Sequence, residues 1–178
     1  MSVTVRPAEA GDAARLVELA REVGAEEEGW LITGGEWRSP GEERRYLRSL
    51  RRHPNAAVFV AESNGTIVGR LSIARDPHPA SEHVADVGVM VARAYRRRGA
   101  GTALMRAAED WARGAGVRKL ELHVFPHNAA AIALYEGLGY TREGFRRGHY
   151  RRGPLFVDAI LMAKALVPVP TEEFRPSR

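Results

Sequence analysis

The chain has no cysteine. That absence excludes disulfides, thiolate metal sites and a cysteine nucleophile. It has no glutamine, and only two lysines, Lys119 and Lys164, against twenty-five arginines. Such a bias fits a thermophilic source, in which thermolabile side chains are depleted. A GC-rich genome accounts for it equally well. No apolar run approaches the roughly 20 residues that a membrane-spanning helix needs. Residues 1–10 lack a basic start followed by an apolar block, so no signal peptide is expected and the cytoplasm is the default location. With no cysteine, the six histidines do not form a recognisable ligand set, so no metal site is expected. No Gly-Lys pair occurs, which removes the P-loop, and no third glycine completes a dinucleotide fingerprint.

What is present is the composition of a folded domain. The chain has 178 residues, of which 44% are hydrophobic and 28% charged, enough for one domain with its own core. The net charge is +5. The arginines are scattered in pairs and are not interleaved with stacking aromatics, so neither nucleic acid nor a membrane is an expected partner.

Periodicity orders the elements. Val3 to Arg6 reads as a strand. Asp12 is placed to cap a helix reaching Val23, and a second helix is expected from Gly41 to Arg52. Ala57 to Glu62 and Ile67 to Ala74 form a hairpin across Asn64-Gly65, the strongest short turn signal. A central strand through Gly88 to Val91, a basic turn, a long helix, the strand Lys119 to Phe125, a short helix and two final strands follow. The expected order is β-α-α-β-β-β-α-β-α-β-β, an α/β fold with a mixed sheet. Residues 1–166 are expected to form one domain and 167–178 a Pro-rich tail.

The chemistry concentrates in the turn Arg96-Arg97-Arg98-Gly99-Ala100-Gly101-Thr102, between the central strand and the long helix. Glycines allow close backbone approach to a ligand. Consecutive N–H groups at a helix start make an anion nest, to which the three arginines add charge. Such a turn suits a phosphate-rich cofactor. Downstream, Asn128 opens the run Ala129-Ala130-Ala131-Ile132-Ala133-Leu134-Tyr135, which closes on Gly139-Tyr140.

The pattern Arg96-x-x-Gly99-x-Gly101 resembles the acetyl-CoA signature of the GNAT family, the Gcn5-related N-acetyltransferases. The strand, Asn128, Tyr135 and Gly139-Tyr140 resemble that family's second motif. His83 to Gly88 is similar to a bacterial branch that acetylates free amino acids or related small amines. The resemblance spans roughly residues 3–165. It implies a GNAT-like, mostly antiparallel sheet flanked by helices. It also implies direct acetyl transfer from acetyl-CoA, a co-substrate, to a primary amine in a ternary complex. A protein N-terminal acetyltransferase of the ribosomal-protein type, or a silent acetyl-CoA sensor, share the same motifs, and a homodimer is compatible with them.

Under that resemblance the pantetheine arm pairs with the free edge of Val89, Met90 and Val91, where Gly88 fits a bulge that starts a splay between strands. Asn128 holds the pantetheine or acetyl end, besides being placed as a helix cap, and Ala131 also falls at the cofactor. Tyr135 becomes the general acid for the leaving thiolate. Asp86 and His83, with Glu82 nearby, are the candidates for the base. The acceptor is expected between Gly24 to Trp37 and Arg146 to Tyr150. Glu26 to Glu28 could attract an amine there, and Arg147 or Arg151 could pair with a carboxylate.

Overall fold

The structure, a computed structural model, describes residues 3–32 and 37–168. Its elements follow the order expected from the sequence: β1 (Val3–Pro7), α1 (Ala13–Gly24), α2 (Pro40–Leu50), β2 (Ala56–Ser63), β3 (Thr66–Arg75), β4 (Val84–Val91), α3 (Ala100–Gly114), β5 (Lys119–Val124), α4 (Ala129–Gly137), β6 (Thr141–Arg152) and β7 (Leu155–Ala165). The tail expected at 167–178 lies outside the described residues from 169 onward, as do residues 33–36 of the expected acceptor segment.

Local chemistry sets the boundaries. Asn64 and Gly65 take φ of 50° and 74°, the double left-handed step of a two-residue hairpin, and Ser63 pairs with Thr66 across it. Helix α2 starts on a capping box: the Ser39 hydroxyl accepts from Glu42 N–H while Glu42 accepts from Ser39 N–H, and Pro40 occupies the first turn. Asp12 does stand before α1, but its side chain does not cap that helix. It accepts instead from Glu9 N–H at 2.7 Å and pairs with Arg6 at 2.8 Å.

The sheet runs β1-β2-β3-β4-β5-β7-β6. Only the β4–β5 pairing is parallel, with α3 as the crossover. One face is covered by α3, whose buried stripe of Ala100, Leu104, Met105, Ala108 and Ala112 meets Leu71, Ile73, Ala85 and Val87. The other is covered by α1 and α2, where Leu16, Leu19, Ala20 and Leu47 pack on Val58, Val60 and Met90. The mixed α/β architecture is thus the one read from the sequence.

Candidate active site

The parallel ladder between β4 and β5 is short. It pairs Val84 with Lys119, Ala85 with Leu120 and Asp86 with Glu121, then stops. Beyond it β4 continues to Val91 paired with β3, and β5 continues to Val124 paired with β7. The strands part, and a cleft of about 650 Å³ opens between them. Gly88 does not start this splay with a bulge. It sits in unbroken register opposite Ser72, and the ladder is lost on the β5 side.

One end of the cleft is the basic turn. Arg97 takes φ of 60° and Gly99 φ of 87°, left-handed conformations that turn successive amides to one side. Such a φ costs a non-glycine residue about 1–2 kcal/mol, a strain tolerated where the backbone serves a ligand. Helix α3 begins at Ala100 with no side chain capping it, so its first N–H groups and the positive end of its dipole remain for an anion. Gly101 lets α4 close in, since a Cβ there would lie 3.0 Å from Leu134 Cδ2. Arg97, Gly99, Gly101 and Thr102 line the cleft, as do Val89, Met90 and Val91. This cradle fits a pyrophosphate-bearing cofactor.

Geometry limits what three of the expected cofactor residues can offer. Arg96 is not a free phosphate ligand: its guanidinium grips both oxygens of Glu26 at 2.7 and 2.5 Å, and its Nε donates to the Val91 carbonyl at 2.9 Å. That bond also occupies the Val91 carbonyl. The Ala100 side chain faces the core, so Ala100 can offer only its N–H at the start of α3, and Arg98 is not among the residues lining the cleft. Ala131 does line it, but its N–H donates to Asn128 Oδ1 at 3.1 Å. Asn128 is therefore a helix cap first, with its amide NH₂ available to the cleft.

Tyr135 lines the cleft at 6% exposure, and burial pushes its phenol above the ordinary value. It is a protonated group there, able to donate. Asp86 lies where the splay begins, and its carboxyl is raised by burial and by Glu121 across the ladder, with Arg146 opposing. A carboxylate so raised is a better base. His83 and Glu82 precede β4 rather than lying on it. The His83 carbonyl accepts from Arg118 and Lys119 N–H at 2.8 and 3.1 Å, and neither residue lines the cleft.

The far end holds Tyr150, within the expected acceptor segment, and His123, which sequence reasoning missed. His123 on β5 and Tyr150 on β6 share a hydrogen bond between Nδ1 and Oη of 2.5 Å, and Phe125 meets Tyr150 edge-on. Burial, Arg146 and His149 pull the His123 pKa down, while burial and the charge of Asp86 push the Tyr150 phenol up. The alternation Leu120, Leu122, Val124 inward put His123 on the other face, which was the available signal. Glu26 and Glu28 of the acidic run after α1 are not free for an amine. Glu26 is held by Arg96 and by Trp30 Nε1 at 2.9 Å, and Glu28 pairs with Arg93 at 3.3 Å. Arg147 and Arg151 are exposed and outside the cleft lining, whereas Arg152 donates to the Gly29 carbonyl at 2.6 Å and to the Leu31 carbonyl. Among the described residues no group of three or more His, Asp or Glu is arranged to hold a metal. No described helix is long and apolar enough to cross a membrane.

Residues 22–140 match the model of the Acetyltransferase (GNAT) family. The chain is 34% identical over 126 residues to the L-amino acid N-acetyltransferase AaaT of Escherichia coli, covering 68% of this chain and 76% of that protein. It is 36% identical over 151 residues to the N-alpha-acetyltransferase RimI of Mycobacterium tuberculosis, covering 84% and 85%. A GNAT-family acetyltransferase from Streptococcus pneumoniae superposes with a TM-score of 0.83 at 29% identity, covering 92% of this chain and 99% of that one.

Proposed function

The chain belongs to the GNAT family of acetyl-CoA-dependent acyltransferases, and on that premise we propose that it acetylates the primary amine of a small molecule such as a free amino acid. One observation carries the reading: a single cleft runs from the anion nest of Arg97, Gly99 and α3, past Asn128 and Tyr135, to Asp86. Cofactor and acceptor thereby meet at the splay, and the amine attacks directly within a ternary complex.

Acetyl-CoA supplies the acyl group already activated as a thioester. The backbone of β4 holds the pantetheine arm by strand-like hydrogen bonds, and the uncapped start of α3 holds the pyrophosphate. Asp86 takes the proton that the amine loses on attack. Tyr135 gives its proton to the departing sulfur. Because a phenol near ~10 is a weaker acid than a thiol near ~8.5, and burial weakens it further, this help is modest. A cytoplasmic location and a homodimer belong to the same reading, and are tested by fractionation and by sedimentation.

The likeness to a protein named as an N-alpha-acetyltransferase over 84% of the chain favours a second reading, in which the amine is a protein N-terminus. The deciding experiment is CoA release, read with a thiol reagent, against amino acids, polyamines, aminoglycosides and N-terminal peptides. The protein has no cysteine to add background. Turnover confined to small amines supports the first reading, and turnover confined to peptides replaces it with the second. Bound acetyl-CoA with no turnover on any amine points to a sensor.

A further inference from the structure

Arg70 interrupts β3 between Val68, Gly69 and Leu71. Its register partner is Met90, and Ser72 beside it on the same face pairs with Gly88. Two register steps further along that face stands Asp86, opposite Ala74. Arg70, Ser72 and Asp86 all line the cleft on the α1–α2 side of the sheet.

The guanidinium of Arg70 is short of partners. The residue is 5% exposed, and a charge taken out of water needs hydrogen bonds and an opposite charge. Among the described residues its carboxylate partner is Glu43, itself 0% exposed, and the separation is 3.4 Å, at the outer limit of a hydrogen bond. Glu43 already holds a closer cation, Arg38, at 3.0 Å. Two guanidiniums thus divide one carboxylate. Arg70 Nε is buried with no partner, and the guanidinium lies 5.1 Å from the centre of the Trp37 ring. Arg38 is half exposed, so water meets part of its charge, whereas Arg70 borders the cavity with one long contact and, among the described residues, no partner for its Nε. Burial itself pulls the pKa of Arg70 down, a sign of how incompletely Glu43 compensates it.

We propose that Arg70 is the specificity residue of the acceptor site, binding the carboxylate of the amino acid whose amine is acetylated. A buried guanidinium with donors left over suits an anion, and its planar fork matches a carboxylate in shape. Arg70 and Asp86 share a sheet face but stand four register positions apart, about 13 Å along the strands, so their side chains must lean toward each other over Ser72 to hold the carboxylate and the amine of one ligand. The surface arginines of the β6–β7 hairpin are not needed for this role. The inference rests on the acetyl-transfer reading above and assigns its acceptor a free carboxylate, which a protein N-terminus does not carry beside its amine.

The test compares an L-amino acid with its uncharged carboxamide in CoA release. It also compares the N-acetyl amino acid with its carboxamide in equilibrium titration against the CoA-bound protein. The titration needs no turnover, and the acetylated ligands have no amine to ionise. The acid is expected to be preferred by about 10- to 100-fold in both, the range of one charge-assisted hydrogen-bond pair. In Arg70→Gln the preference falls toward one through a raised KM. Arg70→Lys, which keeps the charge but loses the fork, retains part of it. Equal treatment of acid and carboxamide by the unaltered protein overturns the assignment, and this comparison stands even if Arg70→Gln does not fold. Turnover of amines without an acid preference leaves the transferase reading intact while removing the role of Arg70. An acid preference in titration with no turnover of any amine keeps the role of Arg70 and removes the transferase reading.

Discussion

At the α3 end of the cleft the ligand-facing groups are backbone: the amides around Arg97 and Gly99 and the uncapped first turn of the helix. At the other end they are side chains from separate elements, with Asp86 on β4, His123 on β5 and Tyr150 on β6, and Arg70 on β3 lines the wall between the two ends. The first end is specified by a few consecutive residues and tolerates many side chains. The second exists only after distant strands have been brought side by side. A fixed cofactor and a variable acceptor call for that division: the shared ligand is held by atoms every residue has, and the changing one by side chains that can be exchanged.

The largest expected effect comes from the side-chain end. Asp86→Asn should lower kcat/KM at neutral pH by about 10²–10⁴, the usual worth of acid–base assistance, with part of the rate returning at high pH. In the parent enzyme the rate should fall on acidification through a pKa above the ordinary carboxylate range, as the raised carboxyl of Asp86 picks up its proton. The same variant should melt higher. Folding raises the pKa of this group, so its contribution to stability is full at acid pH and declines as the pH rises through that window. A melting temperature lowered by Asp86→Asn would show that the carboxylate is structural. Next, Tyr135→Phe should cost near the low end of that range, about 10²-fold in kcat. An unchanged kcat removes Tyr135 from the mechanism.

The sharpest probe of the comparison is Glu26→Gln. Its bidentate partner Arg96 ties the segment after α1 to the turn before α3. Loss of a partly buried pair of this kind is worth roughly 1–3 kcal/mol once the exposure of Arg96 is allowed for. KM for acetyl-CoA and for the acceptor should both rise, whereas a change confined to one substrate would mean that the ends act independently. The smallest effect belongs to Gly99→Ala. Nothing lies within 4 Å of the Cβ site, so only the left-handed φ is penalised. About 1–2 kcal/mol is expected, seen as a melting temperature lower by roughly 2–8 °C and a weaker grip on acetyl-CoA.

This division explains what was legible in the sequence. The turn, the hairpin at Asn64-Gly65 and the helix after Asn128 announce themselves through neighbouring residues, and the order of all eleven main elements follows from them. The family match ends at residue 140, while β6 begins at Thr141. The hairpin that carries Tyr150 is the part without a common signature. Strand β6 is exposed from Thr141 to His149, so it has no in–out alternation to say which of its side chains reach the cleft. The pairing of Glu26 with Arg96 spans 70 residues, beyond any local pattern. Arg70 did leave a trace, a charge inside an apolar strand, but its shortage of partners appears only once Glu43 and Arg38 are in place.

The sheet order has a consequence for how the protein is made. Strand β7 comes after β6 in the chain yet lies between β5 and β6 in the sheet. During synthesis β5 lacks its neighbour on that side, and β6 lacks any, until the residues up to Ala165 have left the ribosome. The half-sheet that carries β1 to β4 needs no such wait, since its strands are joined through neighbours already made. A nascent chain stalled before Leu155 should therefore present an unpaired strand edge on β5, and it is there that a chaperone, or another stalled copy, would find something to bind.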